Sequence, residues 1–126
     1  MNHEFTGIVA VVTATAVEAC AQLCLKIGAA GGSGFLPTSW RQRARLFPFT
    51  TTPAGWYLFG FLAYVIEIGL YTFALRFLDV SVAFPLGSLC FVGVALLSRI
   101  VLAEAVGRTR WLGIALILAG TVFVAL

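Results

Sequence analysis

Apolar residues fall into four long blocks separated by short polar stretches. The blocks run from about Phe5 to Ala30, from Ala54 to Phe77, from Val80 to Leu102 and, beginning near Arg108, from Trp111 to Leu126. A helix crosses the hydrocarbon core of a bilayer with about 20 apolar residues at a rise of 1.5 Å each, so every block predicts one pass, the last being the shortest. The expected fold is an all-α membrane protein, a single domain over residues 1–126 built as a four transmembrane helix bundle (5–30, 54–77, 80–102 and 108–126). A further short amphipathic helix is expected in the first connection, within residues 35–48. There Leu36, Trp40, Ala44 and Phe47 recur at helical spacing, interleaved with Arg41, Arg43 and Arg45. Pro37 suits the start of that helix, Pro48 and Pro53 bound it, and a basic amphipathic segment of this kind suits the membrane interface.

The first block carries polar groups where lipid would be. Glu18, Gln22 and Lys26 stand four residues apart, so at about 100° per residue they share one helical face with Thr15 beside them. Glu18 is near mid-span, and an ionisable group at that depth is expensive enough to count as a functional candidate. The second block repeats the motif with Glu67, which shares an arc with Tyr57, Gly60, Tyr64 and Tyr71. Deep tyrosine hydroxyls need acceptors, and a carboxylate supplies one. Glu18, Gln22, Tyr64, Glu67 and Tyr71 are therefore the candidate substrate- or proton-binding groups. Ser88 joins them from the third block, where Ser81, Pro85, Ser88 and Arg99 share a face.

Pro85 lacks an amide hydrogen and clashes with the preceding turn, so it predicts a kink and is the candidate hinge. Gly87 and Gly93 permit close approach by a neighbouring helix. The fourth block contains nothing that ionises; Gly113 and Gly120, seven apart, form a small-residue face expected to pack against another helix or a second chain rather than to line a polar path. Glu104 and Arg108 are spaced for a surface ion pair.

Composition sharpens the membrane reading. Of 126 residues 61% are hydrophobic and 10% charged, against about 25% charged in a soluble domain. The net charge of +3 does not indicate nucleic acid, because the basic residues flank apolar blocks. Seven of the eight, Lys26, Arg41, Arg43, Arg45, Arg99, Arg108 and Arg110, fall at the first and third connections, and Arg76 alone at the second. Positive residues stay cytoplasmic, so both termini are expected outside the cytoplasm. Lys26, Arg41, Arg43, Arg45 and Arg99 are candidate ligands for a headgroup phosphate. Cys20, Cys24 and Cys90 all lie in apolar runs and read as small buried hydrophobes. The first block lacks a preceding basic residue and a small-residue cleavage site, so a retained span is expected. No nucleophile–base pair, phosphate loop or metal-spaced cluster occurs, so no enzyme activity, catalytic residue, cofactor or metal is expected.

Several stretches resemble the drug/metabolite transporter superfamily. Glu18 with Lys26 resembles the first helix of the small multidrug resistance transporters, and Gly113–Gly120 resembles their dimerisation helix. Leu102-Ala103-Glu104 through Trp111-Leu112-Gly113 is similar to the end of the superfamily repeat. Ala21-Gln22-Leu23-Cys24-Leu25-Lys26 and Val80 through Val92 resemble the four-helix subunits of the aminoarabinose-lipid flippase. The first resemblance implies competition between protons and a cationic substrate at Glu18. The second implies translocation of an undecaprenyl-phosphate-linked aminosugar across the bacterial inner membrane. The tryptophan that the multidrug transporters carry in helix three is absent near Pro85, and neither pattern assigns a role to Glu67.

Four helices are too few to enclose a path for such cargo. The charge bias disfavours a dual-topology homodimer, leaving a second four-helix subunit of opposite orientation, a parallel homodimer or a monomer with a lateral groove. Flipping of a lipid-linked sugar is the leading expectation, with membrane lipid as its surroundings. Proton-coupled export of a small amphipathic cation and a non-transporting accessory subunit are the alternatives.

Overall fold

The computed structural model describes residues Asn2–Leu126; Met1, the first residue of the expected domain, lies outside them. Helix α1 (Asn2–Ala29) has 28 residues, about 42 Å of rise, and exceeds the roughly 30 Å hydrocarbon core. It ends where the chain turns through left-handed backbone at Gly31 (φ 103°) and Gly32 (φ 87°), a conformation that a Cβ would strain. A 3₁₀ turn (Gly32–Phe35), the seven-residue α2 (Thr38–Ala44) and a second 3₁₀ turn (Pro48–Thr51) make up the first connection. Helix α3 (Pro53–Ala74) starts with Pro53 in its first turn, and the Thr52 hydroxyl caps it by accepting from the Gly55 amide at 3.3 Å.

The third pass is broken. It comprises α4 (Val80–Gly87) and α5 (Leu89–Val101), with Ser88 between them. Pro85 sits inside α4 without ending it, and the break comes three residues later, where the Ser88 amide bonds the Pro85 carbonyl at 3.1 Å. The last helix, α6 (Arg108–Ala125), has 18 residues with Arg108 and Arg110 in its first turn. On length and composition, three stretches among the described residues can cross a membrane: Asn2–Ala29, Pro53–Ala74 and Val80–Val101. α6 is at the lower limit of a span, as its block's length foreshadows.

Boundaries depart from the sequence reading for local reasons. α3 stops at Ala74 rather than Phe77 because the amides of Phe77 and Leu78 both turn back to the Ala74 carbonyl, at 2.9 and 3.1 Å. The helix expected over 35–48 shrinks to α2, with Pro37 preceding it in extended conformation (φ −55°, ψ 152°). Its apolar face packs onto the bundle: Leu36 and Ala44 are buried with Cys24, Ile27, Trp56 and Val101, and Trp40 packs against them. Leu46 and Phe47 remain exposed.

α1 is the central element. It packs against α3 on one side and against α4 and α5 on the other, while α6 reaches the bundle chiefly through α4. Small side chains allow this closeness. Ala14, Ala19 and Ala21 of α1 are buried, and Gly60 of α3 and Gly93 of α5 meet that face. A Cβ on Gly93 would lie 3.0 Å from Ala19 Cβ, and one on Gly60 would lie 3.0 Å from Leu25. Packing of this kind holds helices together in lipid, where no hydrophobic drive separates protein from solvent. The opposite faces are apolar and exposed; Phe61, Leu62, Val65, Ile66 and Ile68 line the outside of α3. Lipid is the solvent those side chains require.

Candidate functional site

Glu18, Gln22 and Lys26, four residues apart on α1, line one cleft of about 760 Å³ between α1, α5 and the first half of α6. The shared face read from their spacing is thus a shared wall. Cys90, Val94 and Ser98 of α5 face them at the same four-residue spacing, and Gly113, Ile114 and Ile117 of α6 close the third side. Because α6 is held to α4 and barely to α5, α5 and α6 splay apart, which opens the cleft.

The mouth of the cleft is polar. Lys26 forms an ion pair with Glu104, which lies in the loop between α5 and α6, and Arg110 lines the same end. This pairing replaces the expected Glu104–Arg108 pair. Residues between α5 and α6 are not helical, so the four-residue spacing no longer brings Arg108 over Glu104. The Glu104 amide turns back to the Ser98 carbonyl at 3.2 Å, and Ala103 just before it holds φ 53°, unusual for a residue other than glycine. The chain thereby aims the Glu104 side chain across the cleft at α1.

A second cavity of about 410 Å³ adjoins the first at mid-span and is lined by Glu18, Glu67, Tyr71, Gly87, Ser88, Cys90 and Thr121, among others. Glu18 is common to both spaces. The two mid-span carboxylates therefore border one cavity, each half-buried. Tyr71 packs against Val11, Ala74 and Ala83, with its ring edge 3.8 Å from the position of a Cβ on Gly87. The Tyr64 hydroxyl lies beside the Gln22 amide, in the field of both glutamates. Of the three tyrosines expected on one face, Tyr57 is 45% exposed and takes no part.

Ser88 occupies the α4–α5 break. Its hydroxyl donates to the Pro85 carbonyl at 2.6 Å and lies 3.2 Å from the Thr121 hydroxyl of α6. The last helix was expected to line no polar path, yet Ile114, Ile117 and Thr121 are walls of these cavities. Its apolar sequence concealed this, because a wall of a cleft need not ionise. Gly113 borders the cleft, and around both Gly113 and Gly120 there is open space where a Cβ would stand. Cys90, expected as a buried hydrophobe, sits beside the Glu18 carboxyl, and Cys20 is exposed rather than buried; Cys24 alone of the three is buried.

The remaining basic candidates lie elsewhere. The Arg41 guanidinium donates to the carbonyls of Gly34 (2.7 Å) and Leu36 (3.2 Å), with Nε buried and without a partner. Arg43 stacks its guanidinium 5.1 Å from the Trp40 ring centre. Arg45 ends α2, and Arg99 is exposed on the last turn of α5. Among the described residues no group of His, Cys, Asp and Glu could hold a metal ion.

Helices that bury small residues against one another, expose apolar faces and enclose two adjoining carboxylates describe a transporter-like membrane bundle. Residues 5–126 match the model of the EamA-like transporter family. The chain belongs to that family. This EamA-like chain is 35% identical over 120 residues to "Probable 4-amino-4-deoxy-L-arabinose-phosphoundecaprenol flippase subunit ArnE" of Pectobacterium atrosepticum, an alignment covering 95% of this chain and 94% of the relative. It is 28% identical over 72 residues to a protein of the same description from Pseudomonas fluorescens, covering 57% of this chain and 63% of that one. No solved structure matches. The EamA-like chain is thus a multi-pass membrane transporter of the drug/metabolite superfamily, and its relatives are named as transporter subunits rather than enzymes.

Proposed function

We propose that this chain is one subunit of a flippase that carries a polyprenyl-phosphate-linked sugar across the bacterial inner membrane. The observation that carries the reading is the cleft with its adjoining cavity: Glu18 borders both and Glu67 the cavity, the ion-paired Lys26 and Glu104 stand with Arg110 at the mouth, and helices α5 and α6 splay on either side. A tethered polar head could slide along that wall while its hydrocarbon tail stays in lipid. Glu18, Gln22 and Glu67 accept or donate hydrogen bonds to sugar hydroxyls or pair with an amino group, and Tyr64, Tyr71 and Ser88 supply further hydroxyls. The phosphate is met at the basic end by Lys26 and Arg110, which a charge-assisted contact would favour. Arg41, Arg43, Arg45 and Arg99 add to the positive potential of that edge. Pro85 and the break at Ser88 give the third pass a point at which it can bend. The seven-to-one distribution of basic residues supports an orientation with this end in the cytoplasm and both termini outside. A single chain leaves the cleft unclosed, so a second four-helix subunit completes the path, with the exposed Gly120 of α6 as one contact.

The sharing of one cavity by two carboxylates also favours a second reading, in which a proton and a hydrophobic cation compete there. One experiment separates the two. Proteoliposomes loaded with polyprenyl-phosphate-linked aminosugar are treated with a membrane-impermeant amine reagent, with the partner subunit present. Labelling should rise above one leaflet's worth over time with the parent chain and stop at one leaflet's worth with Glu18→Gln. If labelling stays at one leaflet's worth while hydrophobic cations displace protons from the protein, the second reading replaces the first.

A further inference from the structure

A groove of about 310 Å³ lies beneath α2, away from the carboxylate cleft, with Leu23, Ile27, Trp40, Trp56 and Val101 among its walls and Arg43 at its rim. We infer that this groove seats one acyl chain of an anionic glycerophospholipid, with the lipid phosphate on Arg43, as a resident lipid distinct from the transported cargo.

Two features of the groove select hydrocarbon for its interior. Two of its deeper polar groups are already satisfied: the Thr50 hydroxyl shares its one hydrogen between the carbonyls of Ala44 and Phe47 within the turn, and the Trp56 indole N–H donates to the Thr50 carbonyl at 3.1 Å. The rest of the lining below the rim is chiefly apolar, which suits a hydrocarbon chain better than a sugar. The volume stands at the small end of ligand pockets, enough for part of one chain.

The rim selects the charge. No Asp or Glu occurs from Ile27 to Ile66, so the first connection brings Arg41, Arg43 and Arg45 without any carboxylate of its own. Among the described residues the one ion pair is Lys26–Glu104, so none of the three has a carboxylate partner. Arg43 is further fixed by its stack on Trp40, and Arg41 is fastened to the turn that precedes α2. A fixed guanidinium above an apolar slot, at the edge of a membrane span, complements a phosphodiester above its acyl chain. The lipid would fill the space between α2 and the ends of α1, α3 and α5, and so hold the basic end of the bundle together.

Trp40 and Trp56 line the groove, and Trp111 is the one tryptophan outside it. The test uses the full chain carrying Trp111→Phe, in phosphatidylcholine vesicles. Phosphatidylglycerol with brominated acyl chains is compared with brominated phosphatidylcholine at equal mole fraction, reading tryptophan fluorescence. Near-surface attraction for one arginine predicts about fivefold tighter apparent binding of the anionic lipid. Arg43→Gln should remove that preference, Arg43→Lys should retain most of it, and Arg76→Gln at the opposite end should leave it unchanged. Circular dichroism confirms that each variant is folded. Equal quenching by both lipids, or an Arg43→Gln chain that keeps the preference, overturns the assignment. So does quenching by a brominated polyprenyl phosphate but not by phosphatidylglycerol, which would give the groove to the cargo.

Discussion

The hydroxyls of Ser88 and Thr121 lie 3.2 Å apart, joining the break in the third pass to the last helix. Each also reaches a carbonyl of its own helix, Ser88 to Pro85 at 2.6 Å and Thr121 to Leu118 at 2.8 Å. Two hydroxyls own two hydrogens, so three full hydrogen bonds cannot form together. Either a backbone carbonyl is released or the interhelical contact is. The pair stands at the break between α4 and α5.

Thr121→Val removes one hydroxyl while keeping the shape. Interhelical hydrogen bonds in membrane proteins average about 0.6 kcal/mol, so thermal stability in detergent should fall only slightly. The larger effect expected is on the splay of α6, read as a broader distance distribution between labels on α4 and α6. Thr121→Ser should restore the parent distribution. A valine variant indistinguishable from the parent would mean that the contact does not set the angle.

The two carboxylates should not be equivalent. Glu18 borders both the cleft and the mid-span cavity, whereas Glu67 borders the second alone. A hydrogen bond to a charged group contributes about 1.5–3 kcal/mol, so Glu18→Gln should lower transport by roughly tenfold to a hundredfold. Glu67→Gln should cost less and, if both act on the same bound head, should not worsen Glu18→Gln by its full factor. Initial rates for the four members of that double-mutant cycle give the answer. Fully multiplicative losses would place the glutamates at independent steps.

Lys26 and Glu104 present a different contrast. Their side chains are 47% and 30% exposed, so the pair contributes at most about 1 kcal/mol to stability. Lys26→Glu and Glu104→Lys should each lower stability slightly, and the double swap should recover it. Transport should not recover if the ammonium of Lys26 also meets the cargo phosphate, because the swap moves that charge from α1 into the loop. A swapped chain that transports normally would reduce Lys26 to a structural partner of Glu104.

That pair also marks how far the sequence could be read. The four blocks and the shared face of Glu18, Gln22 and Lys26 follow from periodicity, because helical spacing fixes a face wherever the helix continues, whereas the cavity shared by Glu18 and Glu67 depends on how two helices pack. Periodicity fails where the helix stops. Glu104 to Arg108 looks like one turn, but α5 ends at Val101 and the pair is never formed. Pro85 announces a bend, yet the chain breaks at Ser88, whose amide and hydroxyl both turn back to the Pro85 carbonyl. The part played by α6 was hidden for another reason: apolar walls become visible only when the opposite wall is known. The stripe of Cys90, Val94 and Ser98 on α5, spaced by four, was the available signal for the facing wall.

Glycines divide this chain into those that fold it and those that face outward. A Cβ on Gly93 would stand 3.0 Å from Ala19 Cβ, and one on Gly7 would stand 2.6 Å from Leu78 Cγ. A Cβ on Gly113 or Gly120 would meet nothing within 4 Å beyond its own helix. Overpacking a tight contact costs about 1–3 kcal/mol, so Gly93→Val should lower the unfolding midpoint of the monomer in detergent. Gly120→Val adds bulk where this chain has open space, so the monomer should unfold as the parent does. Its effect should appear in assembly, since small residues let helix backbones from two chains approach. Co-purification with a second four-helix subunit, or self-association followed by cross-linking, should be weakened several-fold by Gly120→Val and left intact by the nearby lipid-facing change Phe123→Leu. If Gly120→Val assembles normally while Gly93→Val unfolds as expected, the outward glycine face is not a contact between chains, and the path must be closed by another side of the bundle.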